Sequence, residues 1–358
     1  MPGRSKVRIV ALSLSFLLTC CLFGLVSLGC KDLVRGMSMG ERLELNQGEL
    51  YYTKQVDRAA AERLGDHLVA EKYFDGTRKT VQLDKKGSTW LLRLVVKAGM
   101  DKDEDYANLV KLFGMQVADG VFSGEPLEIE LCDAKLQPLR SVTPLDGRRY
   151  EIHGGEIYHA SMVDRSMAKK LGEQFVKTGF FDGQPKTVHL LRDDKSWMVR
   201  IVVRSGMHEH EQAVREFEVM GLELSGALFD GTKVVIHLCD DKLVTLREVP
   251  CPDGKLLVFN GGDLYFASGI EPHRAKKLGD YLVADGFFDG APKTVRLDKQ
   301  GDLWRFQMVV KPGVEKDEAF VKLTREVAKE LSEKVFDGGK VEIHLCDATL
   351  RTLEAVGG

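Results

Sequence analysis

From Glu41 onward the apolar positions alternate between two spacings in a fixed succession. In the last third of the chain, Leu256-Leu257-Val258-Phe259 and Asp263-Leu264-Tyr265-Phe266 flank Asn260-Gly261. That pair takes the positive φ angles of a type I′ turn, so the segment reads as a β-hairpin. From Glu271-Pro272 the period becomes helical, with Ala275, Leu278 and Leu282 on one face. Gly286 closes this helix, and Phe288-Asp289-Gly290 turns the chain into a strand at Thr294–Leu297. A second hairpin around Lys299-Gln300-Gly301 leads to Trp304–Val310, where Phe306, Met308 and Val310 alternate with Arg305 and Gln307. A further helix starts near Asp317, ends at Phe336-Asp337-Gly338, and is followed by the alternating strand Val341–Leu345.

The same succession occurs three times, 107 residues apart and without a gap: Gly48, Gly155 and Gly262; Trp90, Trp197 and Trp304; and Cys132, Cys239 and Cys346 in Leu-Cys-Asp. Side chains recurring at one spacing occupy one environment three times, so the repeat is the folding unit. Three units of about a hundred residues match ordinary domain size. The boundaries fall at 41–147, 148–254 and 255–358. The junctions Thr143–Gly147 and Pro250–Gly254 are short and turn-rich, so neighbouring modules are expected to touch.

Within a module the order is β-α-β-β-α-β after an extra hairpin strand, and each helix returns to the sheet through a similar turn. This predicts an α+β fold of three tandem ferredoxin-like (split β-α-β) sandwiches, with two helices on one face of an antiparallel sheet ordered four-one-three-two. The opposite face is then free of helices.

Residues 1–30 differ from the rest. Arg4, Lys6 and Arg8 precede an almost uncharged run from Ile9 to Gly29, long enough to cross a bilayer as a helix. Residues 7–29 are therefore expected to hold the chain at a membrane, the basic end inside and the modules outside the cytoplasm. Leu28-Gly29-Cys30 supports a second reading, a lipid anchor on Cys30, and cleavage for secretion is a third. Residues 31–40 form the spacer.

Charge adds an exclusion. Lys plus Arg number 51 against 54 Asp plus Glu, a formal charge of −3, which is not the clustered positive surface that nucleic acid demands. Among seven cysteines, one per module cannot make a bridge within its module, and Cys239 with Cys251 is the one local pairing that spacing permits.

Candidate chemistry is sparse. Tyr51, Tyr158 and Tyr265 fall on the helix-free face beside Arg93 and Arg200, a candidate binding face whose first expectation is packing against the extra hairpin strand or the next module; the third core strand lacks the aromatic that base stacking needs. His208-Glu209-His210 has a local spacing compatible with a metal, although the corresponding Glu315 and Asp317 point to a solvated first helical turn. His189 and His237 are expected on the two outer strands, too far apart for one ion. The Asp of each Phe-Asp-Gly serves the turn, and the Leu-Cys-Asp thiol, next to a carboxylate, is an inert half-buried group. No phosphate loop, nucleophile elbow or Ser-His-Asp order is present, and no cofactor is implied.

The run Gly-Glu-Ile-Tyr (155–158), Phe-Phe-Asp-Gly (180–183), Lys-Thr-Val (186–188) and His-Leu-Cys-Asp (237–240) resembles a repeat of uncharacterised membrane-anchored bacterial proteins. That resemblance brings no site residues with it. The expectation is a non-catalytic, membrane-tethered array presenting surfaces to a protein or envelope partner. The alternative is a small-ligand or metal binder using the second module.

Overall fold

A computed structural model of the protein describes residues 39–358; the expected membrane segment, Cys30 and most of the spacer lie outside them. Among the described residues no helix is long and apolar enough to cross a membrane.

The first module contains β1 (Glu41–Leu45), β2 (Gly48–Tyr52), α1 (Arg58–Ala70), β3 (Thr80–Lys86), β4 (Thr89–Val95), α2 (Glu104–Phe122), β5 (Leu127–Cys132) and β6 (Pro138–Val142). The second repeats these as β7 (Arg148–Ile152), β8 (Gly155–His159), α3 (Arg165–Lys177), β9 (Lys186–Arg192), β10 (Ser196–Val202), α4 (Glu211–Ala227), β11 (Lys233–Cys239) and β12 (Thr245–Pro250). The third runs β13 (Lys255–Phe259), β14 (Gly262–Phe266), α5 (Pro272–Ala284), β15 (Lys293–Gln300), β16 (Leu303–Val309), α6 (Glu318–Lys334), β17 (Lys340–Cys346) and β18 (Thr352–Gly357). The Asn260-Gly261 turn has φ of 38° and 81°, as the type I′ reading requires. Asp57, Asp103 and Asp317 cap their helices by accepting backbone N–H bonds.

The strand order corrects the ferredoxin-like expectation. Each module holds one six-stranded sheet whose neighbours follow chain order, β1-β2-β3-β4-β5-β6 in the first. The sheet is mixed: β2/β3 and β4/β5 pair parallel, β1/β2, β3/β4 and β5/β6 antiparallel. Two β-α-β units therefore stand side by side, each crossover joining adjacent strands. The four-one-three-two order needs both edges of the first core strand free. Hairpin strand β1 already occupies one edge of β2, so only one is left, and β3 takes it. The same order places β9 and β11 inside their sheet, so His189 and His237 are not on outer strands.

Both helices cover one sheet face. In module 1 the core joins Ala60, Leu64 and Leu68 of α1, Val110, Phe113 and Val117 of α2, and the inward residues of β2 to β5. Module 3 repeats this with Leu278, Leu282, Ala328 and Leu331 over Phe306, Ile343 and Leu345. Full burial of each Val, Leu, Ile or Phe among these contributes about 1.5–3 kcal/mol. The described chain divides into two compact units, the first reaching Leu190 and including Cys239–Val244, the second holding Leu191–Leu238 and everything from Thr245.

Candidate functional site

The recurring tryptophans, turn aspartates and Leu-Cys-Asp residues are tied up inside their own modules. Trp90, Trp197 and Trp304 stack on Phe122, Phe229 and Phe336 at the ends of α2, α4 and α6, with centroids 4.3, 4.4 and 4.5 Å apart. The cations of Lys85, Arg192 and Lys299 lie 4.0, 4.9 and 4.7 Å from the same indole rings. Each tryptophan is thus held between an apolar ring and a cation, the two contacts an indole face favours.

The Phe-Asp-Gly carboxylates have a partner that the sequence reading missed. Lys79, Lys186 and Lys293 sit four residues on, with Nζ 2.8, 2.5 and 2.7 Å from Asp75, Asp182 and Asp289. Lys79 and Lys293 also donate to the carbonyls of Tyr73 and Phe287 at 2.6 and 2.5 Å, closing the turn. Burial works against ionisation of Asp75, but donation from Lys79 and Thr77 prevails and holds its carboxyl at about 2. The signal was available in the repeat as a lysine recurring at one offset from each aspartate.

The Leu-Cys-Asp motif begins a hairpin turn. Asp133 accepts from the backbone N–H of Lys135 and Gln137, Asp240 from Lys242 and Val244, and Asp347 from Thr349 and Arg351. Leu136, Leu243 and Leu350 take positive φ at the same place in each turn. The thiols are buried completely rather than halfway, and none of the four described cysteines is in a disulfide, so Cys239 and Cys251 are not bridged. Burial pushes the Cys132 thiol up to about 11 and that of Cys251 to about 12, the opposite of a nucleophilic cysteine.

The histidine candidates do not converge. His208 Nε2 is 3.5 Å from Glu209, while His210 occupies the N-cap of α4 without making a cap bond. Among the described residues no group of three or more His, Cys, Asp or Glu could hold a metal ion. A surface groove on module 3, lined by Glu315, Lys316, Val321, Arg325 and Glu354, is of mixed charge.

The tyrosine face is an internal one. Across module 1 the register aligns Arg42, Tyr51, Gln82, Arg93 and Glu130 on the helix-free side. Arg93 is consumed there, donating to Glu130 and Gln82 at 2.7 Å each. Arg200 is the counterpart of Arg93 on β10. Tyr51, Tyr158 and Tyr265 are only 9, 2 and 5 % exposed. For Tyr158 the cover comes from the preceding module: burial raises its hydroxyl to about 12, and Gln116 of α2 hydrogen-bonds it. The backbone N–H of Arg149 donates to Asp119 of the same helix at 3.2 Å. For Tyr265 the cover is α4, where a Cβ on Gly226 would lie 3.0 Å from the ring.

Two seams therefore join helix to sheet face, α2 to β7/β8 and α4 to β13/β14. The junction residue packs into a notch made by a helix glycine: a Cβ on Gly114 would come 2.6 Å from Pro144, and one on Gly221 would overlap Cys251. In module 3 the sizes are exchanged, Ala328 standing opposite Gly358. The outer face changes as well. Met115 and Leu222 are buried in the seams, whereas α6 carries exposed Lys329 at that position and Glu330 and Glu333 on the same face.

No curated protein and no solved structure matches the chain. A family model described as the AF_1994_N family N-terminal domain matches residues 42–143, 149–250 and 256–358. With its three copies accounting for most of the sequence, the chain belongs to the AF_1994_N family, as a tandem array of that domain.

Proposed function

We propose that the protein is a non-catalytic tether, held at a membrane by residues 7–29 as a single-pass anchor or by lipid on Cys30. Its modules lie outside the cytoplasm and present their exposed edges to a protein or envelope partner. The observation carrying this reading is that each chemically capable group recurring in three copies has a structural job: carboxylate to lysine, indole between ring and cation, thiol in the core. Catalysis needs a titratable pair left available to a substrate.

The module edges offer one surface for recognition. Leu139 of β6 and Leu246 of β12 occupy the same repeat position and stay 47 and 42 % exposed. An edge strand with an outward apolar side chain is suited to pairing with an extended segment. The test places a photo-crosslinking amino acid at Leu139 and at Leu246 in cells. Membrane-bound adducts of one discrete mass at these sites, absent from Lys276 on the outer face of α5, are expected; no adduct at either site overturns the edge reading. Labelling of introduced surface cysteines by a membrane-impermeant maleimide in intact cells tests the orientation.

A further inference from the structure

The two seams use equivalent positions with different charge. In the first, Gln116 of α2 faces β8, and Glu156 of β8 is neutralised by Arg149 of β7 at 3.2 Å. In the second, Gln116 is replaced by Glu223, Glu156 by Asp263, and Arg149 by Leu256. The helix face that meets module 3 is Leu222, Glu223 and Gly226: a Cβ on Gly254 would come 3.0 Å from Leu222, and one on Gly226 would touch Tyr265 at 3.0 Å and Leu256 at 3.1 Å. The ionisable groups turned to Glu223 are Asp263 and Tyr265 of β14. From β13 the seam receives Leu256, while Lys255 lies 3.6 Å from Asp230 beyond the end of α4.

We propose that the joint between modules 2 and 3 is tightened by acid: protonated Glu223 lets α4 seat fully on Tyr265 and Leu256, and its ionisation at neutral pH loosens that seat. The Gln116–Arg149–Glu156 joint stays closed over the same range. Desolvation at the seam, and then the charge of Asp263, raise the Glu223 carboxyl above its ordinary value. The sign follows from linkage. With the seam closed Glu223 holds its proton more tightly than with the seam open, so closure gains as pH falls. The gain is complete below the ordinary glutamate range and lost as pH rises through the elevated value of the closed state.

The test is hydrogen exchange of the full chain at about pH 5 and about pH 7.5, corrected for intrinsic exchange rates. The 250–266 segment is expected to be several-fold better protected at the lower pH, because the opening equilibrium changes by up to the ratio of the proton affinities of Glu223 in the closed and open seam. The 143–159 segment should show no such change. Glu223→Gln is expected to give the acid-type protection at both pH values, and Leu256→Arg, which restores the cation of the first seam, to flatten the dependence independently. Equal protection of 250–266 in the wild type at both pH values, or an undiminished pH dependence in Glu223→Gln, overturns the proposal.

Discussion

Gly48 opens β2 directly beneath the ring of Phe74, so that a Cβ on the glycine would overlap the ring; Gly155 repeats this under Phe181 at 2.5 Å and Gly262 under Phe288. The phenylalanine of each Phe-Asp-Gly turn can lie flat on the sheet because the strand starts without a side chain. Substituting Ala at Gly48, Gly155 or Gly262 forces the ring out of its well, and overpacking of this kind costs about 1–3 kcal/mol. Urea denaturation of each variant checks it, with a lowered midpoint and unchanged slope as the expected outcome.

Trp304 is flanked by Phe336 on one side and Lys299 on the other. Trp304→Ala should cost about 3–5 kcal/mol, as large aromatic truncations do, whereas Lys299→Ala should cost about 0.5–1 kcal/mol. Calorimetric melting separates the two. A comparable loss from both would mean that the cation, not the ring stack, holds the indole.

The low carboxyl value of Asp75 makes a pH-dependent prediction. Its folded value lies below its unfolded one, so the Asp75–Lys79 tie contributes above about pH 4 and is lost as pH falls toward about 2. Asp75→Asn should destabilise by roughly 1 kcal/mol at neutral pH, after allowing for solvent screening, and by progressively less as pH falls through about 2. Chemical denaturation of wild type and variant across that range is the measurement, and a gap that persists into acid would assign the effect to shape rather than charge.

His210 stands where Asp103 and Asp317 cap α2 and α6, and it makes no cap bond. His210→Asp should therefore stabilise the protein by about 1 kcal/mol. Thermal melting with and without added zinc tests this against a metal role: stabilisation of the wild type alone by zinc would favour His208 and His210 as ligands.

The notch of α4 couples two positions. Gly221→Ala alone drives a methyl into Cys251, but Gly221→Ala with Cys251→Gly recreates the Ala328–Gly358 arrangement of module 3. The double variant should recover most of the single variant's loss, giving a coupling of about 0.5–3 kcal/mol in a double-mutant cycle. Simple additivity would separate helix and junction.

Much of each module could be read from periodicity alone. The Asn260-Gly261 turn, the helix face Ala275–Leu278–Leu282 and the alternation of Phe306 and Met308 against Gln307 all hold in the structure, because burial on one face imposes the spacing directly. Strand order is a different kind of information. A β-α-β crossover looks the same in sequence whether it joins neighbours or skips a place, and the decision rested on how many edges of β2 remained after the Asn46-Gln47 hairpin. The tyrosine face carries no helix of its own module, but Tyr158 owes its cover to Gln116 in another module, a partner that no period within one module records. Lys79, by contrast, is visible as a lysine recurring at one offset in each copy, but the sequence does not show that the turn folds it back onto the Asp75 carboxylate.

The charged face of α6 bears on how such an array can change length. Lys329 would have to be stripped of water to seat a further sheet, a cost that Met115 and Leu222 at the same position do not incur. A gene duplication that copied the third module behind itself would make a protein whose last joint bears that extra cost. Copies placed ahead of it would keep Met115 or Leu222 at each added joint, so this architecture lengthens with least penalty from within.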